Sequence, residues 1–329
     1  MCSVARVIVA SRARVMVAGW LETGALAGVW PAALGRLPAG FAARALSRPL
    51  VVPRGLTVIT VGGATLGGSG KTRVALAVTR LLVERGARVA LIGHAYRARP
   101  ARARVVHVDD AIVDVGDEAL LAARILGASC PVIVARTRQE AIDHAATLAD
   151  VVVLDGPLQL APVRASLALL AVDADAPWGA GALPPAGDLR APRAALLAHT
   201  DLVVPVDAAP HLSERTLDAL LKERVGLFTA IGRPARLEAA LRRAGVSPAV
   251  IVRAADHGPV TAALARHLAR ANVDRWLATD KCALHLAPVV GKRAITVIEG
   301  LCELPGEVES ALAQRVDARG GKMPYTGRP

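Results

Sequence analysis

VITVGGATLGGSGKT, residues 58–72, decides the fold. A β-branched apolar run enters a glycine-rich turn, and Lys71-Thr72 opens KTRVALAVTRLLVERG, whose apolar residues recur at helical spacing. Strand, pliant turn and helix start, in that order, form a phosphate cradle. Backbone N–H groups of the turn converge on phosphate oxygens, and the helix dipole favours their negative charge. Gly67, Gly68, Ser69 and Gly70 supply the cradle; Lys71 is expected to reach the β and γ phosphates of a nucleotide, and the Thr72 hydroxyl to be a ligand for Mg²⁺. The strict pattern G-x-x-x-x-G-K-[ST] asks for glycine at position 65, and Thr65 stands there. Gly67 and Gly68 leave enough backbone freedom to accommodate it.

Outward from this loop, short apolar runs alternate with helical stretches: LTVITV, RVALIG, CPVIVA, DVVVLD, LALLAV and DLVVPV. Continuous Val/Leu/Ile runs of this kind belong to strands buried on both faces of a mostly parallel sheet. The expected fold is therefore α/β, a P-loop NTPase core with a doubly wound sheet over residues 50–208. Asp155 ends DVVVLD. A carboxylate at the end of a buried strand is costly without a cation, and a P-loop needs a second metal anchor there, so Asp155 joins Thr72 as a metal ligand. Beyond Asp207 the rhythm restarts with LFTAIG, AVIVRAADH, RWLATD and AITVIEG, a smaller C-terminal α/β domain over 209–314. Residues 315–329 read as a polar, disordered tail.

Of the 329 residues 53% are apolar but only 2% aromatic, so the core is aliphatic and base-stacking recognition of nucleic acid is not expected. The formal charge of +12 points to anionic partners. The arginines of AYRARPARARVV (Arg97, Arg99, Arg102 and Arg104) follow the second strand, where an open α/β sheet presents its crevice, and are candidates for clamping a phosphate. Cys2, Cys130, Cys282 and Cys302 show no metal-ligand spacing. VMVAGWLETGALAGVWPAALG, residues 15–35, is nearly long enough to span a bilayer, but Glu22, the glycines and Pro31 argue against a simple span. With Arg12, Arg14 and Arg36 flanking it, residues 1–49 read as a membrane-associated helical segment lying in the interface.

The combination of VGGATLGGSGKT, VGDEALLAARIL (115–126), VVVLDGPLQ (151–159) and WGAGALPPAGDLRAP (178–192) is similar to the tetraacyldisaccharide 4'-kinases, the lipid A 4'-kinase family, over roughly residues 50–290. The family loop carries Thr or Ser where the strict pattern wants glycine, so Thr65 resembles a family trait. The resemblance implies transfer of the ATP γ-phosphate, with Mg²⁺, to the 4'-hydroxyl of a lipid-linked disaccharide 1-phosphate. It places that reaction at the cytoplasmic face of the inner membrane, with no obligate protein partner. It further implies that Asp117, of the Gly-Asp-Glu motif, accepts the hydroxyl proton and that His257, in AADHGP, pairs with it. An imidazole beside a carboxylate orients it and tunes its proton affinity.

The chain departs from the family pattern in several places. Asp-Asp-Gly-x-Gln-His becomes Asp155-Gly156-Pro157-Leu158-Gln159-Leu160, Ser-Arg-Gly-Tyr becomes Gly93-His94-Ala95-Tyr96, and Thr-Glu-Lys-Asp becomes Thr279-Asp280-Lys281-Cys282. Asp155 then serves without a second acid. The same residues also suit a homologue that binds nucleotide without transferring phosphate, or another P-loop ATPase, although the latter leaves LPPAGDLRAP unexplained.

Overall fold

The computed structural model describes residues 42–93, 95, 98, 100–207, 212–254, 260–298, 300 and 302–317, and before them 6–9, 17, 20, 21, 23, 24 and 40. In chain order its strands are β1 (Arg6–Val9), β2 (Ser47–Pro49), β3 (Thr57–Gly63), β4 (Val89–Ile92), β5 (Arg104–Val105), β6 (Val132–Val134), β7 (Val151–Asp155), β8 (Gln159–Ala161), β9 (Leu167–Asp173), β10 (Leu202–Val206), β11 (Val225–Thr229), β12 (Val250–Arg253), β13 (Arg275–Thr279) and β14 (Ala294–Ile298). The helices are α1 (Lys71–Glu84), α2 (Ile112–Val115), α3 (Asp117–Leu126), α4 (Arg138–Ala145), α5 (Arg193–Ala198), α6 (Glu214–Lys222), α7 (Pro234–Arg243), α8 (Ala262–Arg270), α9 (Asp280–Val290) and α10 (Gly306–Asp317).

The expected doubly wound sheet is present, with strand order β10-β9-β3-β7-β4-β6-β5. All its pairings are parallel except that of the edge strand β5 with β6. Every residue of β3 is buried, as its unbroken apolar run requires when helices cover both faces. On one face α1 buries Val74, Ala75, Val78 and Leu82 against Ile59 and Val61; on the other, Ala141 and Ile142 of α4 meet Val58 and Ile92. Each fully buried Leu or Ile contributes about 1.5–3 kcal/mol by leaving water. The central strand β3 lies between β7 and β9, so the ends of three strands, and the turns after them, open onto one crevice.

A second, all-parallel sheet has the order β1-β12-β11-β13-β14. Phe228 and Trp276 are fully buried on one of its faces, Leu227 and Leu277 on the other. Two features tie the sheets together. The C-terminal helix α10 returns to the first sheet, where Val308 and Leu312 are fully buried in the core that α1 shares. Arg233, on the turn between β11 and α7, pairs with Asp173 at the end of β9 and Asp188 in the LPPAGDLRAP segment, all three nearly excluded from solvent. Buried ions of opposite sign packed at this joint resist separation, because each would be left uncompensated.

The N-terminal reading needs a correction at Arg6–Val9. That run is a strand paired in parallel with Val250–Arg253, as its β-branched composition favours, and not part of a helix. Most of residues 15–35 lies outside the described residues; Val17, Trp20, Leu21 and Thr23 are helical. Among the described residues no helix is long and apolar enough to cross a membrane. The expected tail falls partly within α10, which runs to Asp317; residues 318–329 lie outside the described residues.

Candidate active site

The glycine-rich turn joins β3 to α1 directly. Gly70 caps α1 with φ 80°, and a Cβ there would sit 2.6 Å from Val206 Cγ1, so both the backbone conformation and the space demand glycine. Thr65 is buried, and its hydroxyl donates to the Gly67 carbonyl at 2.8 Å. Its neighbours lie against the LPPAGDLRAP segment: Leu66 N–H donates to Asp188 O at 2.8 Å and Arg190 N–H to Ala64 O at 2.9 Å. The Arg190 Nε then donates to Thr65 O at 2.8 Å. A side chain is thus useful at position 65, where it braces the turn from within.

Lys71 and Thr72, the first two residues of α1, meet Asp155 at the end of β7. Lys71 Nζ lies 3.2 Å from Asp155 Oδ1, and the Thr72 hydroxyl donates to Oδ2 at 2.7 Å. Asp155 Oδ1 is buried, and among the described residues it has the Lys71 ammonium beside it but no aligned hydrogen bond. One carboxylate and one hydroxyl side by side, open to phosphate oxygens, suit Mg²⁺, which keeps few protein ligands and takes the rest from waters and substrate phosphates. Gly67, Gly68 and Ser69 line the same cleft, of about 630 Å³.

Glu118 lines the cleft from α3, whose first residue is Asp117, entered through Gly116 with φ 87°. The Asp117 Oδ1 accepts the Glu118 N–H at 2.9 Å. Helix α9, from the second sheet, reaches over this N-terminus: His285 Nε2 lies 3.3 Å from Asp117 Oδ2, and Lys281 Nζ lies 3.8 Å from the same oxygen and 3.5 Å from Glu118 Oε1. Glu118 Oε2 is 3.7 Å from Lys71 Nζ, so one chain of alternating charges runs from α9 through Asp117 and Glu118 to Lys71 and Asp155. His257, expected to pair with Asp117, lies outside the described residues.

Cations gather on the remaining wall. Arg48, Arg138 and Arg190 line the cleft. Burial is the main cause that lowers the pKa of Arg138 and Arg190 below the usual arginine value; Asp155 opposes it for both, and Arg48 and Arg190 add to it for Arg138. Guanidinium groups crowded in this way gain from an added anion. The Arg-rich stretch near residue 100 contributes differently from expectation. Arg104 is neutralised by Asp110 at 2.5 Å, Arg102 is exposed, and Arg97 and Arg99 lie outside the described residues.

The missing second acid has a structural counterpart. Gly156 has φ 127°, and a Cβ there would meet Arg138 Nη2 at 2.4 Å, while Arg138 Nη1 donates to the Asp155 carbonyl at 3.0 Å. The arginine fills the space an acidic side chain would need. Gly156→Asp is therefore expected to destabilise the protein by about 1–3 kcal/mol, read as a lower midpoint in urea unfolding, because the backbone there disfavours any L side chain. Gln159 and Leu160 are buried, and the Gln159 Oε1 accepts the Leu160 and Ala165 N–H groups.

Beside the turn, toward the second sheet, lies a smaller recess of about 210 Å³ with apolar walls of Leu76, Val206, Ile231, Leu237 and Ile298. Arg236, whose guanidinium pairs with Asp173 at 2.5 Å, also borders it. Sequence reasoning missed Arg138, Lys281 and His285. Lys281 sits in a motif already noted as altered, and His285 follows it by one helical turn; Arg138 carries no local signal.

Comparison with known proteins gives a consistent picture. The family model described as Tetraacyldisaccharide-1-P 4'-kinase matches residues 42–318. A tetraacyldisaccharide 4'-kinase of Methylobacterium radiotolerans is 36% identical over 301 residues, 81% of this chain and 90% of that protein. Another, from Methylorubrum extorquens, is 34% identical over 304 residues, 86% of each. The crystal structure of LpxK from Aquifex aeolicus in complex with ATP shares the fold, with TM-score 0.62 at 18% identity, over 91% of this chain and 99% of that one.

Proposed function

We infer the function of this chain from its membership: it belongs to the tetraacyldisaccharide-1-phosphate 4'-kinase family, and it is a kinase that phosphorylates the 4'-hydroxyl of the lipid A disaccharide precursor with ATP. The observation that carries this to residues is the meeting of Lys71, Thr72 and Asp155 at the glycine-rich turn, with Glu118, the neighbour of Asp117, 3.7 Å from Lys71 and lining the same cleft. Residues 50–208, joined by α10, act as the kinase core, and residues 212–298 with β1 form the smaller unit, a correction to the expected bounds 209–314; its α9 reaches Asp117.

In this reading the Asp117 carboxylate accepts the 4'-hydroxyl proton as the sugar oxygen attacks the γ-phosphorus in line. The bond from phosphorus to the β–γ bridging oxygen breaks, and ADP leaves. Lys71 compensates charge on the β and γ oxygens, and Arg138 and Arg190 add cationic charge where the transferring group becomes loosely bonded. Mg²⁺, held by Thr72 and Asp155, neutralises phosphate charge when bound. The apolar recess beside Val206 receives the nucleotide base. His257, as the family motif implies, assists Asp117 in accepting the hydroxyl proton.

The test is incubation of purified protein with γ-labelled ATP and disaccharide 1-phosphate lipid. Label in a bisphosphorylated lipid is the expected result. ATP binding without lipid labelling would instead identify a nucleotide-binding homologue, as the replacement of an acid by Gly156 allows.

Membrane association follows from the substrate and from the N-terminal segment, where Val17 and Trp20 are exposed. The protein works from the cytoplasmic face of the inner membrane, with the apolar segment lying in the interface among anionic headgroups. The doubly substituted Val17→Asp, Trp20→Asp protein is expected to bind anionic vesicles at least about tenfold more weakly in co-sedimentation. Undiminished binding would place the anchor elsewhere.

A further inference from the structure

Asp117 is gripped on both oxygens. Oδ1 accepts the Glu118 N–H at 2.9 Å, and Oδ2 faces His285 Nε2 at 3.3 Å. With Asp117 ionised, as the role of base requires, the carboxylate can only accept, and the His285 tautomer that completes the hydrogen bond carries its proton on Nε2. The Asp117 side chain is only 4% exposed and the His285 ring 12%, so water competes weakly for this contact. Lys281, four residues before His285 and on the same face of α9, brings its ammonium to 3.8 Å from Oδ2 and 3.5 Å from Glu118 Oε1. Thr279 caps the start of α9 by accepting the Cys282 N–H at 3.3 Å, which fixes the helix that carries both residues. The helix belongs to the second sheet and the carboxylate to the first.

We propose that His285 is a positioning residue for phosphoryl transfer, orienting the Asp117 carboxylate toward the acceptor hydroxyl from across the joint between the two sheets. The proposal rests on Asp117 being the base. A carboxylate held on one oxygen rotates about its last torsion; held on both, it keeps one orientation, and proton transfer depends on that geometry. The base is then complete only while α9 is docked on α3.

Steady-state kinetics of His285→Leu and His285→Gln, with ATP and disaccharide 1-phosphate lipid, test this. The leucine variant should lose about 30-fold in kcat, with KM for ATP changed less than about twofold, since the glycine-rich turn is untouched. Glutamine, whose terminal amide can donate toward Oδ2, should recover kcat to within about threefold of wild type. Wild-type kcat in the leucine variant, equal losses in both variants, or a loss carried by KM would each overturn the proposal. A second readout needs no turnover: the imidazole ¹⁵N resonances of His285 should shift in Asp117→Asn, and unmoved resonances would refute the contact. A wild-type enzyme that transfers nothing to lipid, yet shows the coupled resonances, would refute the kinase reading while supporting the pairing.

Discussion

Turnover of the Lys71→Ala enzyme will fall at least about a hundredfold, roughly 3 kcal/mol of transition-state stabilisation. The ammonium stands beside two carboxylates, Asp155 Oδ1 at 3.2 Å and Glu118 Oε2 at 3.7 Å, and in the proposed reaction it also faces the β and γ phosphates. Its removal does two separable things. The phosphates lose a preorganised cation whose benefit grows as charge shifts toward the leaving oxygen, and that loss appears in kcat. Asp155, only 3% exposed, is left with one cationic neighbour fewer, and that loss appears as a lower melting temperature. Single-turnover assays with γ-labelled ATP, run well below the variant's melting temperature, separate the two. Unchanged turnover would remove the glycine-rich turn from the mechanism, whatever the melting temperature does.

What was legible in the sequence is what is local. VITVGGATLGGSGKT specifies strand, turn and helix within fifteen residues, and the unbroken apolar runs of β3, β7 and β9 mark strands covered on both faces. Asp155 was readable for the same reason: a charge at the end of such a run needs a partner, and Lys71 and Thr72 provide it. Thr65 was readable as tolerable, but its use was not, because the bond to Gly67 O depends on how the turn closes.

The rest is tertiary. Arg138 begins a helix some seventeen residues before Asp155, and nothing in its own neighbourhood says that its guanidinium reaches the Asp155 carbonyl and fills the space beside Gly156. His285 meets Asp117 over 168 positions of chain, through the docking of one sheet's helix on another's. RVIV at residues 6–9 pairs with a strand near residue 250, a partnership without local signature, so the longer apolar run after it dominated the reading of the N-terminus. Arg104 shows the converse case. Within the basic cluster read as a candidate phosphate clamp, this one arginine is already paired with Asp110, six residues on.

Asp117→Asn will lower kcat about a thousandfold while leaving KM for ATP nearly unchanged, the expected size for loss of a positioned general base. The substitution preserves shape, so α3 keeps its first turn and the Asn carbonyl can still accept the Glu118 N–H. What it removes is the proton acceptor. An amide nitrogen facing His285 Nε2 also sets donor against donor, which turns the ring to its other tautomer or moves it away. Nucleotide affinity should survive on the proposed reading that ATP is held by the turn, by Lys71 and by Thr72, whose partners are Asp155 and Glu118. Retained ATP binding with lost lipid labelling therefore points to the acceptor side of the reaction, and wild-type kcat in Asp117→Asn would end its role as base. His257→Ala extends the same logic to the histidine implied by the family motif. If it serves the same proton transfer, adding it to Asp117→Asn should scarcely lower kcat further, because a base that is already gone cannot be assisted; multiplied losses would assign His257 a task of its own, such as contact with the acceptor phosphate.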